Sequence, residues 1–208
     1  MKNQIYVSGL FISILLTFTA QAQLSIGLKG GVNITSVSTD DGYNTAGIKN
    51  TFGGHAGIML EIASGEHWAV QPEINWLQKG YLFDNGTVET RWIFNELDLH
   101  LLGKYKFNLG AVKSYLNAGP TFGKVMSGFK KPSNGTKIDL DFDKDQINAW
   151  DYGITAGLGL GLSLGKGVVF VDGRYMLSLN DIFTEAANKG KFRKVGFDYT
   201  LGYFFPLN

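Results

Sequence analysis

The residues that could do chemistry in this chain fall at every second position. Glu96, Asp98 and His100, followed by Lys104 and Lys106, share one parity; His55 and Glu61, Asp172 and Arg174, and Lys194 and Asp198 repeat the spacing, with Lys29 and Glu73 at matching places in other stretches. Three chemistries fit such a set. His55 or His100 beside Glu61, Glu96 or Asp98 could orient a general base, although spacing fixes no serine near either imidazole. A row of alternating charges inside a tube could form a narrow ion path or gate. The same row could close into an internal salt-bridge and hydrogen-bond network that plugs the tube, the reading that best respects the cost of burying unpaired charge. Asp139, Asp141, Asp143 and Asp145 alternate too and invite calcium, but Lys144 stands where the turn glycine belongs and Trp150 where a bidentate glutamate belongs. That segment reads as an acidic, solvated extension. No catalytic residue, metal ligand or cofactor site is assigned, and no cofactor is expected.

A period of two is the signature of strands with unlike faces. It recurs eight times, over residues 24–35, 52–62, 68–76, 96–107, 115–126, 152–164, 169–178 and 194–205. One face carries Leu, Ile, Val, Tyr and Phe; the other carries the charges above together with Gly, Ser and Thr. The gaps alternate in length. Long ones span residues 36–51, 84–91, 127–149 and 180–193, and short ones span 63–67, 108–113 and 165–167. Long loops at one end, short turns at the other and an even strand count predict an all-β, eight-stranded antiparallel up-and-down transmembrane β-barrel, with long extracellular loops and short periplasmic turns.

A soluble barrel also alternates, with charges outside and an apolar interior. Here the polar face of residues 153–163 is Gly, Thr, Gly, Gly, Gly and Ser, with no charge to solvate. That composition suits a narrow, filled lumen. Glycine at every second position also rejects a transmembrane helix over this stretch, and Gly157-Leu158-Gly159-Leu160-Gly161 is followed by no helical pattern that would make it a nucleotide fingerprint. Trp68, Trp76, Tyr105, Tyr152, Tyr175, Tyr203 and Phe205 are placed as an aromatic girdle near strand ends. Pro72 and Pro120 fall inside strands and are expected at bulges or strand ends.

Residues 1–22 read as a secretory signal peptide: Lys2, an apolar run over residues 5–18, and Ala20-Gln21-Ala22 as the cleavage site. Residues 23–208 then form the barrel domain. With 19 basic and 18 acidic residues the chain has no nucleic-acid footprint, and with no cysteine it has no disulfide framework or thiolate metal site. Its near-zero mean hydropathy averages two opposed faces.

The leader followed by Leu28-Lys29-Gly30-Gly31-Val32-Asn33, the Pro72-Glu73 strand, the Leu-rich fourth strand, Ala118-Gly119-Pro120 and the aromatic C-terminal strand resemble the PorT-like outer-membrane β-barrel domain proteins of Bacteroidetes. The resemblance covers the whole mature chain. It implies an outer-membrane location, contact with outer-membrane lipid and lipopolysaccharide, insertion by the barrel machinery, and envelope or secretion proteins as partners. The final strand departs from the usual closing aromatic, because Pro206-Leu207-Asn208 follow Phe205. Recognition for insertion then rests on Tyr203 and Phe205. The function expected is a structural or partner-binding role; an accessory role in protein secretion is the alternative, ahead of a narrow pore or a lipid-modifying enzyme.

Overall fold

The computed structural model describes residues 23–39, 47–109, 112–184 and 191–207. Eight long strands form the wall: β1 (Gln23–Thr39), β3 (Thr51–Ser64), β4 (Trp68–Asp84), β5 (Glu89–Leu109), β6 (Val112–Pro132), β8 (Trp150–Leu164), β9 (Gly167–Ser178) and β10 (Phe192–Pro206). Two short strands, β2 (Ile48–Lys49) and β7 (Ile138–Asp139), dock on the upper ends of β4 and β6. Every long strand pairs antiparallel with its neighbours in sequence, and β1 pairs β10 from Ser25 against Pro206 to Thr39 against Phe192. The ring is therefore closed and has no open edge, as hydrocarbon requires of a spanning sheet.

Alternation becomes geometry directly. Leu97, Leu99 and Leu101 on β5 are exposed, whereas Glu96, Asp98 and His100 between them are at most 3% exposed. The outward face carries the large apolar side chains and the inward face the polar ones. Trp68, Tyr105, Tyr203 and Phe205 face outward at the periplasmic end, with Trp68 edge-on to Tyr105 at 4.9 Å and Tyr203 to Phe205 at 4.5 Å between ring centroids. Trp76, Tyr152 and Tyr175 face outward nearer the opposite end. From Trp68 to Trp76 the chain climbs about 27 Å along β4. At the usual tilt that gives a band roughly 20 Å tall, near the expected apolar height.

The upper limit of that band is written in paired rows. Trp76, Leu97, Lys124 and Trp150 lie side by side across β4, β5, β6 and β8. One step higher, Gln78, Asn95 and Ser127 are paired and hydrogen-bonded in sequence, at 3.0 and 2.9 Å. An outward amide row has no place in hydrocarbon, so the boundary falls between the two. A bulge opposite Asn95 and Glu96 leaves Met126 without a pairing partner on β5 and brings Ser127 into this row.

Three expectations need correction. The connection expected over residues 84–91 is a four-residue turn, 85–88, because β4 and β5 continue well above the band as a hairpin. β6 likewise runs on to Pro132, into the segment read as loop. Pro72 and Pro120 lie neither at strand ends nor at bulges. Both sit mid-strand on the outward face, and the β3–β4 and β5–β6 ladders each skip the pairs beside the proline and resume in unchanged register. A missing N–H thus costs local ladder bonds without shifting the alternation. The expected leader, and parts of the segments 36–51, 108–113 and 180–193, lie outside the described residues.

The short turns obey local chemistry. Gly165 opens the two-residue β8–β9 turn at φ 61°, a conformation that glycine adopts without the penalty of a side chain.

Candidate functional site

The inward side chains of all eight long strands build the site. Its lower half centres on Glu73. That carboxylate accepts from Lys29 Nζ at 2.6 Å, from Arg174 Nη1 through both of its oxygens at 2.9 Å, from Gln71 Nε2 at 2.6 Å and from Asn75 Nδ2 at 3.1 Å. Arg174, 2% exposed, turns its other edge to Asp172, donating from Nη2 at 2.7 Å and from Nε at 3.0 Å. Asp172 also accepts from Tyr115 Oη and Asn117 Nδ2, each at 3.3 Å.

The upper half centres on Lys79. Its ammonium lies 2.9 Å from Glu96, 2.8 Å from Asp98 and 3.1 Å from Asp151. Lys194 shares Glu96 and Asp151 from β10. His100 joins the halves, with Nδ1 3.5 Å from Glu73 and Nε2 3.6 Å from Asp98. At the periplasmic side Lys104 donates to Gln71 Oε1 at 3.1 Å and to Glu61 at 2.6 Å, and Lys106 reaches Glu61 at 3.3 Å. A chain of contacts thus runs the length of the lumen. Among the described residues five buried cations, Lys29, Lys79, Lys104, Arg174 and Lys194, face six buried carboxylates, Glu73, Glu96, Asp98, Asp151, Asp172 and Asp198. Near balance is what makes so many buried charges tolerable.

His55 stands somewhat apart. Its Nε2 is 3.1 Å from Thr200 Oγ1 and its Nδ1 is 3.9 Å from Asp198. Hydroxyl, imidazole and carboxylate are in the order of a catalytic triad, but the carboxylate is beyond hydrogen-bond reach and all three residues are at most 5% exposed.

Glycine explains how so bulky a network fits inside eight strands. A Cβ at Gly157 would stand 2.6 Å from Arg174 Cγ, and one at Gly159 would collide with the Tyr115 ring. The small residues of β8 are the groove in which the large residues of β9 and β6 lie.

Apolar layers close the lumen above and below. Val37, Tyr81, Phe94 and Val125 point in from the strands and pack against Ile147, Ile182 and Phe183 from two loops. Those loops bind each other across the mouth, through Asn148 N to Ile182 O and Thr184 N to Gln146 O, both at 2.8 Å. Met59, Tyr115, Phe170 and Phe204 form a second layer packed around Lys104 at the lower end of the network. Above the band, Lys49 on β2 clamps the hairpin by donating to Asp84 at 2.8 Å and Glu89 at 3.0 Å, and its hydrogen bond holds the Asp84 carboxyl below the usual aspartate range.

Of the residues expected in the lumen, Lys29, His55, Glu73, Glu96, Asp98, His100, Lys104, Asp172, Arg174 and Asp198 are buried and Glu61 is half-buried. Lys79 and Asp151 belong beside them and were not anticipated. Leu77, apolar but inward and 1% exposed, interrupts the alternation just before Lys79, and Asp151 adjoins the aspartate-rich segment that reads as loop. Extending the parity of Gln71, Glu73 and Asn75 two further steps finds Lys79; extending that of Gly153 and Thr155 backward finds Asp151. Asp139, Asp141 and Asp145 are each met by a lysine, Lys137 at 2.9 Å, Lys144 at 3.1 Å and Lys130 at 3.6 Å. Among the described residues no three His, Cys, Asp or Glu gather as a metal site.

A closed ring of eight antiparallel strands, apolar outward and charged inward, with girdles at both ends of the apolar band, defines a transmembrane β-barrel of the outer membrane. Residues 19–184 match the family described as outer membrane protein beta-barrel domain, and the chain belongs to that family. No curated protein matches it. Among solved structures it is similar to a major outer membrane protein from Thermus thermophilus, at 15% identity and TM-score 0.51, over 89% of this chain and 99% of that one. It is also similar to Ail, the attachment invasion locus protein of Yersinia pestis, at 16% identity, 89% and 99% coverage and TM-score 0.46. Neisserial surface protein A aligns at 10% identity, 85% and 95% coverage and TM-score 0.48. The protein is a small outer-membrane β-barrel.

Proposed function

We propose that this barrel is a closed, non-catalytic envelope protein whose role is structural and interactive, exercised through its extracellular hairpins and loops. The observation that carries the reading is the lumen: an apolar cap, a charge-paired network and a second apolar layer lie in series, leaving no path for a solute and no access for a substrate. What remains available is the outer surface. Lipid and lipopolysaccharide meet the apolar band, the insertion machinery meets the strand end around Tyr203 and Phe205, and envelope partners meet the loops. Cleavage after Ala22 and export belong to the same proposal.

Photo-crosslinking in living cells tests it. A photoreactive residue at the exposed Thr87 or Lys137 is expected to give discrete adducts; the absence of adducts from either site would count against an interactive surface. The PorT-like sequence features, Leu28 to Asn33 and Ala118-Gly119-Pro120, support a finer alternative, an accessory role in protein secretion. Loss of secreted cargo in a strain lacking the protein would favour that role, and normal secretion would reject it.

A further inference from the structure

Beneath the lower apolar layer the barrel opens to the periplasm as a vestibule of about 710 Å³. Its volume lies within the range of small-molecule sites, and its wall is not neutral. Lys104, Lys106, Lys113 and Lys166 line it against Glu61 and Glu66. Glu61 is committed to Lys104 and Lys106. Lys113 at the start of β6, Lys166 in the β8–β9 turn and Glu66 in the β3–β4 turn make no ion pair among the described residues, which leaves two ammonium groups against one carboxylate. The two uncommitted ammonium groups therefore share a concave rim. Its floor is built and buried: Lys104, 2% exposed, is held with its ammonium 3.8 Å from the centre of the Tyr115 ring and 4.8 Å from that of Phe204.

We propose that this vestibule binds a small periplasmic anion bearing carboxylate or phosphate groups. The deep pair already shows the chemistry, since a carboxylate, that of Glu61, is the group that two lysines of the wall hold. A ligand anion at the rim completes the same arrangement for Lys113 and Lys166. The concave wall concentrates the field of the cationic surplus at the mouth, where an isolated surface lysine would be screened. Because the lumen is sealed above, the ligand enters and leaves on the periplasmic side. The site is thus one of recognition and not of transport.

Calorimetric titration of the full chain in zwitterionic detergent, with citrate and pyrophosphate as separate probes, tests this. Saturable binding is expected, weakening as salt is raised. Lys113→Gln combined with Lys166→Gln should weaken it at least tenfold, whereas Lys131→Gln at the extracellular end should leave it unchanged. Preference for citrate assigns the carboxylate source and preference for pyrophosphate the phosphate source. Both variants lie on exposed turns or strand ends, and an unaltered heat-dependent gel shift confirms their fold. The proposal is overturned if neither probe binds saturably, if the double variant binds like the wild type, or if Lys131→Gln loses as much.

Discussion

Arg174 ties the lower half of the lumen together, because one guanidinium joins Glu73 on β4 to Asp172 on its own strand. Replacing it by leucine leaves two buried carboxylates without their principal partner. Breaking buried pairs in this way typically destabilises by about 3–5 kcal/mol. Arg174→Leu should therefore lower the urea midpoint of unfolding in lipid vesicles substantially, and adding Glu73→Leu should recover part of the loss. Equal midpoints for Arg174→Leu and the wild type would show that the pairing is incidental. Gly159 makes the complementary case by size. Gly159→Leu drives a side chain into the Tyr115 ring, and overpacking of this kind costs about 1–3 kcal/mol; the same unfolding assay reads it. Most of these residues were legible from parity alone. Lys79 and Asp151 were not, because Leu77 is a lumen residue of lipid-like chemistry and Asp151 borders a run of loop-like aspartates.

At the scale of strands, the outward face should report its depth. Leu101 lies midway between the levels of Leu97 and Tyr105 on β5, while Asn95 stands in the polar row above the band. Leu101→Arg is expected to destabilise by about 2–4 kcal/mol and Asn95→Arg by no more than about 1 kcal/mol. Similar losses at both positions would misplace the boundary drawn here. The eight strands and their faces follow from alternation, but their lengths do not. Above the band β4, β5 and β6 keep pairing through residues such as Gln78, Asn95 and Lys130, where alternation of polarity has lost its meaning because the faces meet water or loop. Prolines misled in the opposite direction. Pro72 and Pro120 look like breaks, yet a barrel wall has two ladders per strand, and each loses only a local part of one.

For the molecule as a whole, family and location follow from a match over residues 19–184 and a closed ring, and sequence order already implied an outer-membrane barrel. The way the lumen is shut was not legible. The apolar cap draws Ile147, Ile182 and Phe183 from loops distant in sequence, and no periodicity announces residues that meet only after the chain has closed. Folding should nonetheless be visible simply: the unboiled protein should migrate differently from the boiled form on gels, and identical migration would argue against a stable barrel. The closed lumen is the centre of the account, and planar-bilayer recording of the purified full chain tests it most directly. No steady conductance is expected from the wild type, with brief openings appearing only when Phe94→Ala and Ile147→Ala thin the cap; steady, reproducible openings of the wild type would contradict it.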